Sequence, residues 1–422
     1  MIVKNQNLKF NNFYILVLFY LSLIIGFYFG EDLNYGATQD WWGTNYPVIR
    51  DLSFDLKNTL LNYEDYGHRH SPFYLIFLSF FRKIGFSYDL IRFFHLNISL
   101  FLVYFFYKCL ILKFSNTDKK LLLILSLCIF LSPTFRSLAI WPDSRIIGLT
   151  FFVLSIYEFL KFQKKPLKKY LFKNLIYLII SSYISPNFSI FIIYFFYHYM
   201  KKTDLKILTL IMFLSIISAL PAFYYLFVLE VNFLTAGTPG LYENQSIDLN
   251  FNFSNKILII SSIILFQLIP FIISRNFTYD FIKSINKNLP IIIIIFLINV
   301  IFFDYVLTFT GGGFFFQISN ILFQNNIFFY FFSFLSLLLL AYFIRNNINN
   351  FLIFICLIIS NVQNTIYHKY YDPLIMILFF TILNTDFNKR FFRQKYSLLY
   401  VYGFYFAFIF MRVLKNTGFV QI

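Results

Sequence analysis

Apolar blocks of roughly 15–25 residues recur along the chain, each long enough to cross a hydrocarbon core of about 30 Å. They sit near 11–30, 72–86, 90–112, 120–135, 146–160, 170–184, 187–200, 205–233, 257–274, 289–304, 327–344, 351–361, 373–385 and 396–414. A membrane barrel would instead show alternating strands of about ten residues, and the sequence has none. Of the 422 residues 59% are hydrophobic and 13% charged, against about 25% charged in an ordinary soluble domain. The pattern predicts an all-α polytopic integral membrane protein with about 11–13 transmembrane helices. Residues 1–422 form one membrane domain, with 31–71 as a long first outer loop.

The net charge of +16 would fit nucleic acid in a soluble protein. In a membrane protein Lys and Arg instead mark cytoplasmic loops, so no nucleic-acid partner is expected. Cys109, Cys128 and Cys356 all fall in apolar blocks without zinc or CxxC spacing, which suits packing rather than chemistry. Lys4 and Lys9 before the apolar run 13–29 resemble a signal peptide. No small-x-small cleavage site follows, so an uncleaved first helix is expected.

The segment "KFQKKPLKKYLFK", 161–173, carries six lysines and should be cytoplasmic. Stepping outward from it makes 113–120, 201–206, 275–288, 345–350, 388–395 and the N-terminus inner as well, which gathers 22 of the 35 Lys and Arg. The outer loops become 31–71, 133–145, 185–187, 234–256, 305–326 and 362–372. An inner N-terminus requires an odd number of crossings over 72–112, so 72–86 is expected not to cross fully. This orientation predicts a plasma (inner) membrane protein whose active residues face the extracytoplasmic side.

Loop 31–71 holds seven acids, and long loops of this kind commonly carry function. Glu31, Asp32 and Asp40 stand in "GEDLNYGATQD", just where the first helix ends. A carboxylate there can act as a general base, and Asp32 with Asp40 could hold a divalent metal, Mg or Mn, beside a phosphate. The loop ends in "GHRHSP", where His68, Arg69 and His70 precede a proline-led apolar run. Such a cationic cluster suits a phosphate at the bilayer surface. "NTIYHKYYDPL", 364–374, repeats the arrangement with His368 and Lys369. Each cluster also has a plain reading, as interfacial polar residues with an aromatic belt. In "SPTFRSLAIWPDSR", 132–145, Asp143 and Arg145 read first as a local pair. "TFTGGGFFF", 308–316, lacks the lysine of a nucleotide loop and reads as an outer turn or broken helix.

The first outer loop with acids near its start, the "RHSPFYLIFLSFFRKIG" entry into the next helices, and the late "YHKYYDPL" loop together resemble the C-type (GT-C) superfamily of membrane glycosyltransferases. That resemblance implies transfer of a sugar from a polyprenyl-phosphate donor to a cell-surface glycan or lipid acceptor. It implies a catalytic acid in the first outer loop, at Asp40 ahead of Asp32 and Glu31. It also implies donor-phosphate contacts from the late His368-Lys369, with Arg69, His68 and His70 nearby. Two rivals share the chain's size and helix content. One is an O-antigen-type polysaccharide polymerase or ligase, which would lean on arginine-rich outer loops. The other is a lipid-linked sugar flippase or transporter, which should show repeat symmetry and mid-membrane charges.

Overall fold

A computed structural model gives the fold and describes residues 12–68, 70–231, 252–273, 281, 289–307, 311–345, 347–363, 365–394 and 396–417. Arg69 lies outside the described residues, as do the N-terminal lysines and most of the 275–288 and 234–256 loops.

The described residues are helical, and their only extended pairing is an isolated bridge between Gly311 and Tyr367. Among the described residues six helices are long and apolar enough to cross a membrane: Tyr88–Lys113, Ser144–Lys164, Leu205–Val228, Phe253–Ile272, Ile327–Ile344 and Ser397–Asn416. Lys119–Leu131 and Pro133–Ile140 form an apolar helix pair bent by 67°, the shape of a broken span or of a re-entrant loop. The chain is thus an all-α protein of the polytopic membrane class. The segment 72–86 contributes only an 11-residue helix, Phe73–Lys83, about 16 Å long at ~1.5 Å per residue. That is about half the thickness of a bilayer core.

Local chemistry sets the helix starts. Ser87, Asp118, Ser132 and Asp143 each accept a backbone N–H of the helix that follows, which satisfies a donor the helix itself cannot. The bend at Ser132 follows from Pro133, which has no N–H to offer the preceding turn, while Ser132 caps a new helix in another direction.

Between helices surrounded by lipid, close packing and polar ties decide association, because lipid tails are as apolar as leucine. Helices Ser144–Lys164 and Lys168–Ile184 meet at Gly148, where an added Cβ would lie 2.6 Å from the Ser185 Cβ. Ser181 Oγ donates to the Gly148 carbonyl at 2.8 Å, and Asn174 Nδ2 donates to the Ser155 carbonyl at 2.7 Å. Phe253–Ile272 runs through the centre, with 78% of its most apolar window buried; the figure for Leu205–Val228 is 11%. The latter faces outward with a proline at 221 and a π-turn at Tyr224–Val228.

Candidate functional site

Four chain segments meet at one end of the bundle: the first loop, the Trp141–Arg145 turn, the turn before Pro186–Phe191, and the His368–Tyr370 turn. The first loop is shaped by its own acids. Glu31 forms a two-point fork with Arg136, Nε to Oε1 at 2.5 Å and Nη2 to Oε2 at 2.6 Å. Arg136 also donates to Ser22 Oγ and to the Ser22 carbonyl, both at 3.0 Å. Asp32 turns inward on the loop: Oδ1 accepts Asn34 N–H, and Oδ2 accepts Gly36 and Thr38 N–H, each at 3.0 Å. Both carboxylates are therefore occupied in holding the turn that presents Asp40.

Asp40 ends the short helix Ala37–Asp40 and leads into a π-turn, Trp41–Asn45. Such turns carry one extra residue per turn and recur at functional sites. Here the turn aims Asn45 inward, where its Nδ2 donates to the Pro142 carbonyl at 2.8 Å and its Oδ1 meets His68 Nε2. Asp40 stays 42% exposed in its side chain, and its Oδ2 accepts from Lys369 Nζ at 3.2 Å. This contact spans 329 positions of sequence. The Lys369 turn is itself anchored, because the Gly312 N–H donates to the Ile366 carbonyl at 2.9 Å.

Beneath this pair lies Arg145, only 7% exposed. Its Nη2 donates to His70 Nε2 at 2.9 Å, and its guanidinium sits 4.2 Å from the Tyr370 ring centre. Asp143 caps the Arg145 helix by accepting the Arg145 N–H at 2.7 Å. Tyr63 OH donates to the His70 carbonyl at 2.8 Å, and His68 Nδ1 stands 2.8 Å from the same hydroxyl.

The cluster sets its own charge states. Burial and then the Arg145 charge hold His70 well below the usual histidine range. His68 is also pushed down, chiefly by burial. Both rings are therefore neutral at pH 7. Burial opposes the charges on Asp143 and Lys369, and their partners outweigh it. Arg145 and Lys369 keep the Asp143 carboxyl below its ordinary value, while Asp40 raises Lys369. At neutral pH the cluster holds two fixed cations, Arg145 and Lys369, against two carboxylates.

Two cavities flank the cluster. A small cleft of about 30 Å³ is lined by Arg145, Lys369, Asp372 and Asn361 together with apolar side chains such as Leu138, Ile146 and Phe191. An apolar groove of about 480 Å³ runs along Pro72, Ile76, Leu178, Tyr183 and Ala222. The two share a wall. From the 185–189 turn, Ser185, Asn187 and Phe188 line the cleft, whereas Pro186 and Ser189 line the groove. The groove also reaches Ser71, the neighbour of His70.

Of the residues expected from sequence, Asp40, His68, His70 and Lys369 come together here. Glu31 and Asp32 lie beside them as structural anchors. His368 points away from Lys369 into an aromatic shell, with Phe266 and Phe408 ring centres at 5.4 and 5.3 Å and Gln267 Nε2 at 2.6 Å. Among the described residues no three His, Cys, Asp or Glu side chains gather as a metal site. Asp32 is taken up by backbone N–H groups and Asp40 by Lys369, so this pair does not fit a divalent ion. Sequence reading overlooked Arg145 as a site residue, together with Asn45 and Tyr370. The Asp-x-Arg spacing at a helix start was the available signal, and it reads more simply as a local pair.

The fold and the site define a polytopic α-helical membrane protein with a charged cleft beside an apolar groove. No family model matches the sequence, and neither the curated proteins nor the solved structures include a match.

Proposed function

We propose that the protein is a GT-C-like glycosyltransferase that moves a sugar from a polyprenyl-phosphate donor to a glycan or lipid acceptor. The Asp40–Lys369 pair carries this proposal, because it sets a half-exposed carboxylate against a partly buried cation from the far end of the chain. The apolar groove beside it suits a prenyl tail. In the reaction, Asp40 takes the proton of the acceptor hydroxyl. The acceptor oxygen bonds to the anomeric carbon, and the bond from that carbon to the phosphate oxygen breaks. The bonding electrons stay on the phosphate, which leaves as prenyl phosphate. Lys369 has three N–H donors. One holds Asp40, and the others meet the charge growing on the phosphate, the kind of stabilisation that dominates many rate enhancements.

On this proposal the protein resides in the plasma (inner) membrane with a cytoplasmic N-terminus and an extracytoplasmic site. Six long helices and the bent pair supply up to seven crossings among the described residues, and the expected 11–13 would need the shorter apolar helices to cross as well. Deleting the protein and weighing surface glycans and prenyl-linked sugars by mass spectrometry tests the proposal. Loss of one sugar with build-up of its prenyl phosphate is expected, restored by the native chain and not by Asp40→Asn. Unchanged glycans and unchanged prenyl-linked sugars would overturn it.

A further inference from the structure

Helix Ser144–Lys164 starts at the site and runs 21 residues away from it. That is about 31 Å at ~1.5 Å per residue, close to the thickness of a hydrocarbon core. Its far end therefore lies at the opposite membrane surface. There the chain turns through Lys165, Pro166 and Leu167 and returns as helix Lys168–Ile184. A second connection, the one after Met200, reaches the same place. Lys202 Nζ donates to the Gln163 carbonyl at 3.1 Å and to Gln163 Oε1 at 2.7 Å. Tyrosines from three neighbouring helices mark the depth of this end. The Lys161 ammonium lies 4.0 Å from the Tyr157 ring centre and 5.5 Å from that of Tyr170, and Lys201 lies 4.1 Å from that of Tyr197. Tyrosine rings with cations over them belong at the headgroup level of a bilayer.

Beyond that level stand Lys164, Lys165, Lys168 and Lys169, all exposed. Among the described residues no Asp or Glu lies within ion-pair distance of any of the four. Glu158, close by, is taken by Lys161 at 2.8 Å. Helix stability does not call for these cations. Lys168 and Lys169 open a helix that has no acid in its first turn and no side-chain cap, and cations there oppose the helix dipole. At the tip, between the two lysine pairs, Leu167 is 46% exposed. The general bias of Lys and Arg to one side of a membrane accounts for basic residues at this end. It does not account for a large apolar residue at the tip, nor for cations where the helix disfavours them.

We propose that this hairpin tip docks on acidic lipid headgroups of the leaflet opposite the site, with the four lysines meeting the anions and Leu167 dipping among them. Lysines flanking an exposed apolar side chain suit an interface of this kind, where the aliphatic stems lie against hydrocarbon and the ammonium groups reach the headgroups. The occupant is the bilayer itself because the two helices already hold the tip at headgroup depth. Contact then needs no encounter from solution, and the charges stand within a screening length of about 8–10 Å. Such docking fixes the far end of the helix whose first turn carries Arg145. It does not depend on the transferase proposal.

The test uses the full-length protein in nanodiscs of equal parts phosphatidylglycerol and phosphatidylcholine. Lipids retained on transfer to mild detergent are counted by native mass spectrometry. Phosphatidylglycerol should be retained in excess, and the excess should shrink as salt is raised. Combining Lys164→Gln, Lys165→Gln, Lys168→Gln and Lys169→Gln should reduce the excess roughly fivefold or more. Arg at the same four positions should preserve it, and Leu167→Gln should remove a smaller part. Melting in lipid-free detergent should be the same for the native chain and the Gln variant, which shows that the variant folds. If the fourfold variant does not fold, the Lys164→Gln, Lys165→Gln pair and the Lys168→Gln, Lys169→Gln pair are read in the same way. A native chain with no preference for phosphatidylglycerol, or folded Gln variants that keep the native excess, would refute the docking. Polyglutamate binding to pure phosphatidylcholine discs, with no phosphatidylglycerol excess in the mixed ones, would overturn it in favour of an acidic protein.

Discussion

Two ion pairs tie the first loop to distant cations, and they differ in kind. Glu31 and Arg136 are joined at two points, and Arg136 makes further bonds to Ser22. Asp40 and Lys369 share one contact at 3.2 Å, with the Asp40 side chain 42% exposed. In the first pair no donor is left over for another molecule to use. The second has lone pairs, spare N–H donors and access to water. Saturated pairs hold structure, and under-coordinated pairs beside a cavity are where chemistry has room.

Substitutions should separate the two. Asp40→Asn should cut sugar transfer by about 100- to 10,000-fold, the range for removing a general base, with less than about 1 kcal/mol lost in stability. Sugar transfer assayed in membranes, with melting of the same preparation, checks both halves. Arg136→Ala should do the opposite. It strands a mostly buried carboxylate and should cost about 3 kcal/mol, seen as a lower melting temperature and lower protein level at any activity. If Arg136→Ala melts normally, the contrast fails. Asp32→Ala removes three backbone bonds and should cost about 1–2 kcal/mol, with residual transfer falling only as far as Asp40 is misplaced.

The smallest effect is set by pH. His68 and His70 take up protons less readily folded than unfolded. Their contribution is therefore fully present above the unfolded value of about 6.5 and is lost as pH falls toward the folded values. Asp143 adds to the loss only below about pH 4, where an unfolded carboxylate begins to protonate. Melting across pH 5–8 should show this slope, and His70→Gln should flatten it; an unchanged slope would count against a neutral His70.

Apolar length marked the long helices, because that signal is local, but the segment 31–71 read as a loop carries the helices Tyr46–Phe54 and Leu56–Leu61, and Gly313–Phe323 lies in what read as an outer loop. The block 120–135 read as one span, yet the structure breaks it at Ser132-Pro133. The block 373–385 also read as a span and yields only the seven-residue helix Leu374–Phe380, wholly buried. Composition cannot tell a buried core segment from one facing lipid. At the site, Lys369 and His368 looked like a pair. In a 3₁₀ turn of about three residues per turn, neighbours point about 120° apart, so one reaches Asp40 and the other enters an aromatic shell. Arg145 was obscured because its partners come from residues 70 and 370, a meeting that only the tertiary fold creates.

The thin partition at 185–189 has a consequence for what can occupy both cavities at once. Oil lies on one side of a single strand of backbone and charge on the other. An amphiphile straddling it must place its ionic group within a bond or two of its hydrocarbon. Detergents whose charge sits on a long polar spacer should reach one compartment or the other, and this wall would act as a ruler that rejects them.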